Sequence, residues 1–78
     1  MPDNQSGDVR ARLRNAIYQM LIERIADDRF PSPSMMDMVE AALDDERLLQ
    51  AYAEVLFDKI SGDRFPSPDM MKRLTSLV

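Results

Sequence analysis

A proline-rich stretch occurs twice in this chain, and it limits the fold more than any other feature of the sequence. The hexapeptide Asp-Arg-Phe-Pro-Ser-Pro spans residues 28–33 and returns unchanged at residues 63–68, with a Met-Met pair shortly after each copy. Two prolines this close resist helix and push the residue before each of them towards extended geometry. Each copy therefore predicts the end of one helix, a tight reversal and the start of the next helix.

The duplication extends beyond the hexapeptide. At the same spacing of 35 residues, five identities precede the hexapeptide: Arg12 with Arg47, Leu13 with Leu48, Ala16 with Ala51, Leu21 with Leu56 and Ile25 with Ile60. Aligned in this way, the duplication covers nearly everything from residue 10 to the end of the chain. A repeat of this length is typical of a single supersecondary unit that must stack on a neighbour to bury its apolar face. The chain is thus predicted to hold one helical unit in two copies.

Apolar residues at steps of three and four predict four amphipathic helices. We expect helix one over residues 9–26, helix two over 33–43, helix three over 45–61 and helix four over 68–77. Ser32 and Ser67 each precede a proline and are predicted N-caps, and Gly62 is predicted to be a left-handed C-cap. The fold class is therefore all-α, with four helices arranged as two tandem helical hairpins in a small bundle.

The chain is predicted to form one domain. Residues 1–8 are polar and without a period, so we expect a flexible N-terminal tail. Residues 9–78 form the helical domain, with repeat one at 10–43 and repeat two at 45–78. One core in a chain of 78 residues seldom supplies more than about 3 to 5 kcal/mol of stability. Self-association, for example as a homodimer, is the expected source of further burial.

The composition argues against catalysis and against transition-metal binding. The chain has no histidine and no cysteine, which removes the commonest catalytic bases, nucleophiles and transition-metal ligands. The acidic run Asp44-Asp45-Glu46 lacks the spacing and central glycine of a calcium loop and is predicted to be a polar helix junction. We expect no enzyme activity, no cofactor, no bound metal and no membrane contact, and we expect a cytoplasmic location.

Nucleic-acid binding is the alternative function. Helical hairpins of this size can read DNA, and cations are available at Lys72, Arg73 and the basic start of helix one. The net charge of −4 opposes approach to phosphate, and so do Asp37 and Glu40 on helix two. A regulator with a helix-turn-helix-like hairpin is therefore the less favoured interpretation.

The candidate partner-binding residues lie in and just after the duplicated stretch. They are Arg29, Phe30, Met35 and Met36 in the first copy and Arg64, Phe65, Met70 and Met71 in the second. The arginines either bind a partner's carboxylate or cap carbonyls and pair with a nearby aspartate. The phenylalanines are predicted to be wedges buried inside each hairpin, with surface anchoring as the alternative, for Phe65 sooner than Phe30.

The methionine pairs complete the functional interpretation. Adjacent side chains on a helix cannot face one direction, so one member of each pair is expected in the core and the other on a contact surface, where methionine adapts well to partners. Together these features predict a small helical protein-protein interaction module. It would be a cytoplasmic adaptor or regulator of a microbial cell that binds another protein.

Overall fold

The computed structural model describes residues 2–78, with side chains from Val9 onward. Over that range it contains four helices and no strand: α1 Pro2–Asp27, α2 Pro33–Glu40, α3 Glu46–Gly62 and α4 Pro68–Thr75. The predicted all-α small bundle is confirmed. α1 is helical from Pro2, earlier than the start at Val9 that the apolar period indicates. Met1 and the side chains before Val9 lie outside the description, so the flexibility of residues 1–8 stays a prediction.

The duplicated stretches begin their helices as the sequence predicted. Ser32 Oγ accepts a hydrogen bond from the Met35 N–H at 3.3 Å. Ser67 Oγ accepts from the N–H groups of Asp69 and Met70 at 3.1 and 3.4 Å. Both serines have extended backbone and both helices open with proline, which gives up an N–H that has no helical partner in any case. The two N-caps are confirmed.

The helix ends differ from expectation. Gly62 does not adopt a left-handed conformation; α3 instead passes directly into extended backbone at Asp63, with φ −91° and ψ 134°, so its exit needs no positive φ. α2 and α4 both stop early because their last turns tighten. The Ala42 N–H bonds the Val39 carbonyl, and the Leu77 N–H bonds the Leu74 carbonyl, each three residues back.

The serine caps are testable at matched positions. Ser32→Ala and Ser67→Ala should each lower the free energy of unfolding by about 1 kcal/mol, whereas Ser→Asp should cost much less because a carboxylate accepts the same N–H groups. Urea unfolding followed by circular dichroism measures both changes. Unchanged midpoints in the two alanine variants would show that neither hydroxyl stabilises its helix.

The core lies where the two hairpins meet. α1 packs on α3, α2 packs on α1, and α4 packs on α3. A single cluster of buried side chains joins three of the helices: Ile22 and Ile25 of α1, Met36 and Val39 of α2, and Leu48, Tyr52 and Leu56 of α3. α4 has no fully buried residue, although its Met70 and Leu74, and Leu77 just after the helix, are partly buried against the cluster. α3 of repeat two therefore covers the apolar groove between α1 and α2. In the described part of the chain, the corresponding groove between α3 and α4 has no helix packed over it.

A polar network connects α4 to α2 beside this core. The Tyr52 hydroxyl donates to Glu40 Oε2 at 2.5 Å, and Arg73 Nη1 donates to the same oxygen at 2.9 Å and to Asp37 Oδ1 at 2.8 Å. Arg73 Nε also donates to Asp69 Oδ2 at 2.9 Å. Burial raises the pKa of Tyr52, and the bond to Glu40 raises it further. The phenol therefore stays protonated in the folded protein at pH values where the unfolded chain would ionise.

Candidate partner-binding surface

The two copies of the duplicated stretch lie side by side. Both line one surface cleft of about 340 Å³, which we call the turn cleft. The first copy contributes Arg29, Phe30, Pro31 and Pro33, and the second contributes Asp63, Phe65 and Ser67. The rest of the lining consists of Met36, Lys59, Asp69 and Met70. The sequence predicted each turn separately but carried no signal that the two turns meet. A surface made of two identical motifs is the result.

Lys59 fixes the two turns relative to each other. Its Nζ, in the last turn of α3, donates to the backbone carbonyls of Ala26 and Asp28 at 3.1 and 2.5 Å. Carbonyls at a helix C-terminus have no partner within the helix, and a cation there also complements the helix dipole. The end of α1 is thereby held against the end of α3. Sequence reasoning missed this residue, because its partners are backbone atoms 31 and 33 residues away.

Both phenylalanines face solvent. Phe30 and Phe65 are each 85% exposed, so the prediction that they are buried wedges is wrong. The space between α1 and α2 is already filled by Ile25, Met36 and Val39, all almost fully buried, which leaves no room for a ring beside the turn. The equal exposure also gives no support to the expected difference between Phe30 and Phe65.

Each exposed ring is in contact with the guanidinium group of the arginine that precedes it in the sequence. The guanidinium carbon of Arg29 lies 5.7 Å from the centre of the Phe30 ring, and that of Arg64 lies 5.9 Å from the Phe65 ring. A cation-π contact of this kind stabilises an exposed pair by about 0.5 to 1 kcal/mol. Asp28 pairs with Arg24 instead, at 3.3 Å. Among the described residues no carboxylate pairs with Arg29 or Arg64, so both guanidinium groups keep donors for a partner.

The methionine pairs divide between core and surface. Met36 is 2% exposed and belongs to the core, with Met35 partly buried beside it. In the second pair Met71 is exposed and Met70 is partly buried against the core. The expected division into one core and one surface residue holds only in part, because Met35 and Met70 are both partly buried. Met36 is withdrawn as a contact for a partner because its side chain is almost fully buried. Met38 is exposed, although the partner contacts predicted from the sequence do not include it.

The turn cleft offers two aromatic rings, the Arg29 guanidinium and two proline rings. Arg64 does not line the cleft, although its guanidinium lies beside the Phe65 ring. Within residues 9–78 no group of three or more carboxylate, imidazole or thiol side chains is placed to hold a metal ion. Of the helices described, none is both long enough and apolar enough to cross a membrane.

No protein-family model, curated protein or solved structure matches this chain.

Proposed function

We propose that this protein is a protein-protein interaction module without catalytic activity, and that it binds its partner through the turn cleft. The observation that supports this proposal is the exposure of Phe30 and Phe65 on one cleft, each at the same place in an identical motif. Leaving a phenylalanine in water forgoes about 1.5 to 3 kcal/mol of burial. A partner that covers both rings recovers that free energy.

The residue types suit this role. Aromatic side chains and arginine are enriched among the few interface residues that dominate binding energy. Phe30 and Phe65 would enter apolar pockets of the partner, while Arg29 and Arg64 would bond carboxylates at the rims of those pockets. The expected partner is therefore a folded protein or peptide that offers apolar pockets flanked by acidic residues.

The duplication gives the module two anchors on one scaffold. Once the first ring is bound, the second binds as an intramolecular event at a high effective concentration. Removing one ring should then weaken binding, and removing both should abolish it. An adaptor or regulator acting in the cytoplasm of a microbial cell is the wider role we propose.

Nucleic-acid binding is not favoured over this function. The alternative depended on Lys72 and Arg73, the cations of α4, together with the basic start of helix one. Arg73 bonds three carboxylates, those of Asp37, Glu40 and Asp69. Those bonds neutralise its charge locally and leave little attraction for phosphate.

A capture experiment tests the proposed function. Wild-type protein, the double variant Phe30→Ala with Phe65→Ala, and the matched control Phe57→Ala are immobilised and exposed to an extract of the cells that make the protein. Phe57 is also an exposed phenylalanine, on α3 and outside the turn cleft. We expect a protein that is captured by wild type and by the control but lost from the double variant.

Stability measurements make that result interpretable. Because the rings are exposed, each turn substitution should change the free energy of unfolding by less than about 1 kcal/mol, whereas truncating a buried phenylalanine would cost about 3 to 5 kcal/mol. A double variant that is folded and still captures every protein that wild type captures would contradict the proposal. A double variant that unfolds would contradict the exposed position of the rings.

A further inference from the structure

The two repeats meet inside the chain through two different faces. Repeat two contributes what we call the leading face: Leu48 and Tyr52 of α3 and Arg73 of α4. Repeat one contributes what we call the trailing face: Ile22 of α1, Val39 and Glu40 of α2, and Ala42 in the turn after α2. Their apolar residues are all buried, and Arg73 and Tyr52 both bond Glu40 across the contact. This contact is the internal repeat interface.

The leading face of repeat one has no cover in the chain. Its residues lie 35 positions before those of repeat two and are Leu13, Ile17 and Met38. Leu13 is 59% exposed, whereas its counterpart Leu48 is 5% exposed. All three residues line one shallow depression of about 260 Å³. A face that is buried in one repeat is thus open to solvent in the other.

The trailing face of repeat two is open in the same way. Phe57 is 61% exposed, whereas its counterpart Ile22 is 5% exposed. Phe57 lines an apolar groove of about 620 Å³ between α3 and α4, together with Leu74 and Leu77, which are the counterparts of Val39 and Ala42. In repeat one the corresponding groove is filled by α3 of repeat two.

The polar residues of the internal interface are replaced by uncharged residues at the equivalent positions of both open faces. At the internal interface Tyr52 and Arg73 meet the Glu40 carboxylate. On the open leading face the same two positions hold Ile17 and Met38, which cannot bond a carboxylate. On the open trailing face the position of Glu40 holds Thr75, which carries no charge. Docking therefore places no carboxylate opposite Ile17 and Met38, whereas a glutamate at position 75 would have been costly to bury there. The charged residues that line the two open surfaces are of opposite sign: Arg10 and Arg14 on the leading side and Glu46 in the trailing groove.

The contact made by Lys59 also has a counterpart. Lys59 bonds the carbonyls of Ala26 and Asp28 across the internal interface. The residue 35 positions earlier is Arg24, and the carbonyls 35 positions later belong to Ser61 and Asp63. If repeat one of a second copy packs on repeat two of the first copy as repeat two packs on repeat one within the chain, the second copy's Arg24 guanidinium reaches those carbonyls. A cation near the C-terminus of α3 is favourable for the reason given for α1.

We propose that the protein self-associates head to tail, with the open leading face of one copy docking in the open trailing groove of the next and repeating the internal interface. The occupant of the groove is a second copy of this chain, because the groove is the duplicate of one that already accepts this chain's own α3. The two faces are different surfaces, so the contact is heterologous and can continue through further copies or close into a ring. This assembly shares Asp63 with the turn cleft, but Leu13 and Phe57 do not line that cleft.

Sedimentation velocity over a wide range of protein concentration tests the proposal with one variant on each face. Leu13→Glu alters the leading face and Phe57→Glu alters the trailing groove, both at exposed positions. Wild type should associate as concentration rises. Each variant alone should associate at least about tenfold more weakly, because docking would place a carboxylate in an apolar contact. Leu13→Gln and Phe57→Gln replace them if a glutamate variant fails to fold.

Mixing the two variants decides the geometry. The Leu13→Glu protein keeps an intact groove and the Phe57→Glu protein keeps an intact leading face, so an equimolar mixture should form a one-to-one complex that neither variant forms alone. A variant that carries both substitutions should bind neither of the two single variants. A wild type that stays monomeric at every concentration would overturn the proposal. A mixture that forms no one-to-one complex would also overturn it. So would a single variant that associates as strongly as wild type, because the altered face would then not be part of the contact.

Discussion

Arg73→Met is expected to lower the free energy of unfolding by about 2 to 3 kcal/mol, the cost of leaving a partly buried charge without its partner. The Arg73 side chain is 12% exposed and bonds three carboxylates, but Asp37 and Asp69 are well exposed and contribute little. The main effect comes from Glu40, which is mostly buried beside Tyr52. Methionine keeps the apolar stem, so the change removes charge and hydrogen bonds more than volume.

The neighbouring cation supplies the control. Lys72 is exposed on the same helix, and Lys72→Met should change stability by less than about 0.5 kcal/mol. Urea unfolding at one fixed protein concentration measures both variants. The double variant Arg73→Met with Glu40→Gln should lose less than the two single changes added together, because the stranded charge is gone. Equal losses from Arg73→Met and Lys72→Met would show that the network adds no stability.

Tyr52→Ala is expected to abolish cooperative folding. Tyr52 is fully buried and is the largest side chain at the centre of the core. Truncating a buried aromatic costs about 3 to 5 kcal/mol, and a single core of this size supplies about the same amount in total. Circular dichroism should show lost helix and no urea transition.

Tyr52→Phe separates the ring from its hydroxyl. The ring remains, and only the bond to Glu40 is lost, so the expected cost is about 1 to 2 kcal/mol with a cooperative transition preserved. A Tyr52→Ala protein with the midpoint of wild type would mean that the core does not centre on this residue.

The elements that the sequence predicted are those governed by local chemistry. Ser32 and Ser67 precede prolines, and the serine hydroxyl satisfies N–H groups two or three residues away wherever the helix lies in the fold. Helix positions follow from the spacing of apolar residues, which is also local. Gly62 failed as a left-handed cap because glycine permits that conformation without requiring it.

The candidate site was less predictable because burial depends on what else fills the space. An aromatic residue beside a turn packs inward only if the core leaves a gap, and here Ile25 and Val39 leave none for Phe30. The position of Arg73 next to Glu40, and of Lys59 next to the end of α1, depends on how the two hairpins pack. Neither the period nor the turn chemistry specifies that packing.

The duplication held one further signal that only the structure made usable. Positions that differ between the repeats, such as Arg73 against Met38 and Tyr52 against Ile17, separate the internal interface from the faces left open. The sequence alone shows which positions differ. The structure shows that one member of each pair is buried, and this identifies the face that is in contact within the chain.

Fluorine NMR tests the central claim, that the turn cleft binds a partner through both rings. The chain has three phenylalanines, so labelling with 4-fluorophenylalanine gives one resonance each for Phe30, Phe57 and Phe65, assigned by single substitutions. In an extract of the cells that make the protein, we expect the Phe30 and Phe65 resonances to shift or broaden together. The Phe57 resonance should change only with the concentration of the protein itself. Resonances of Phe30 and Phe65 that stay as they are in buffer would contradict the claim.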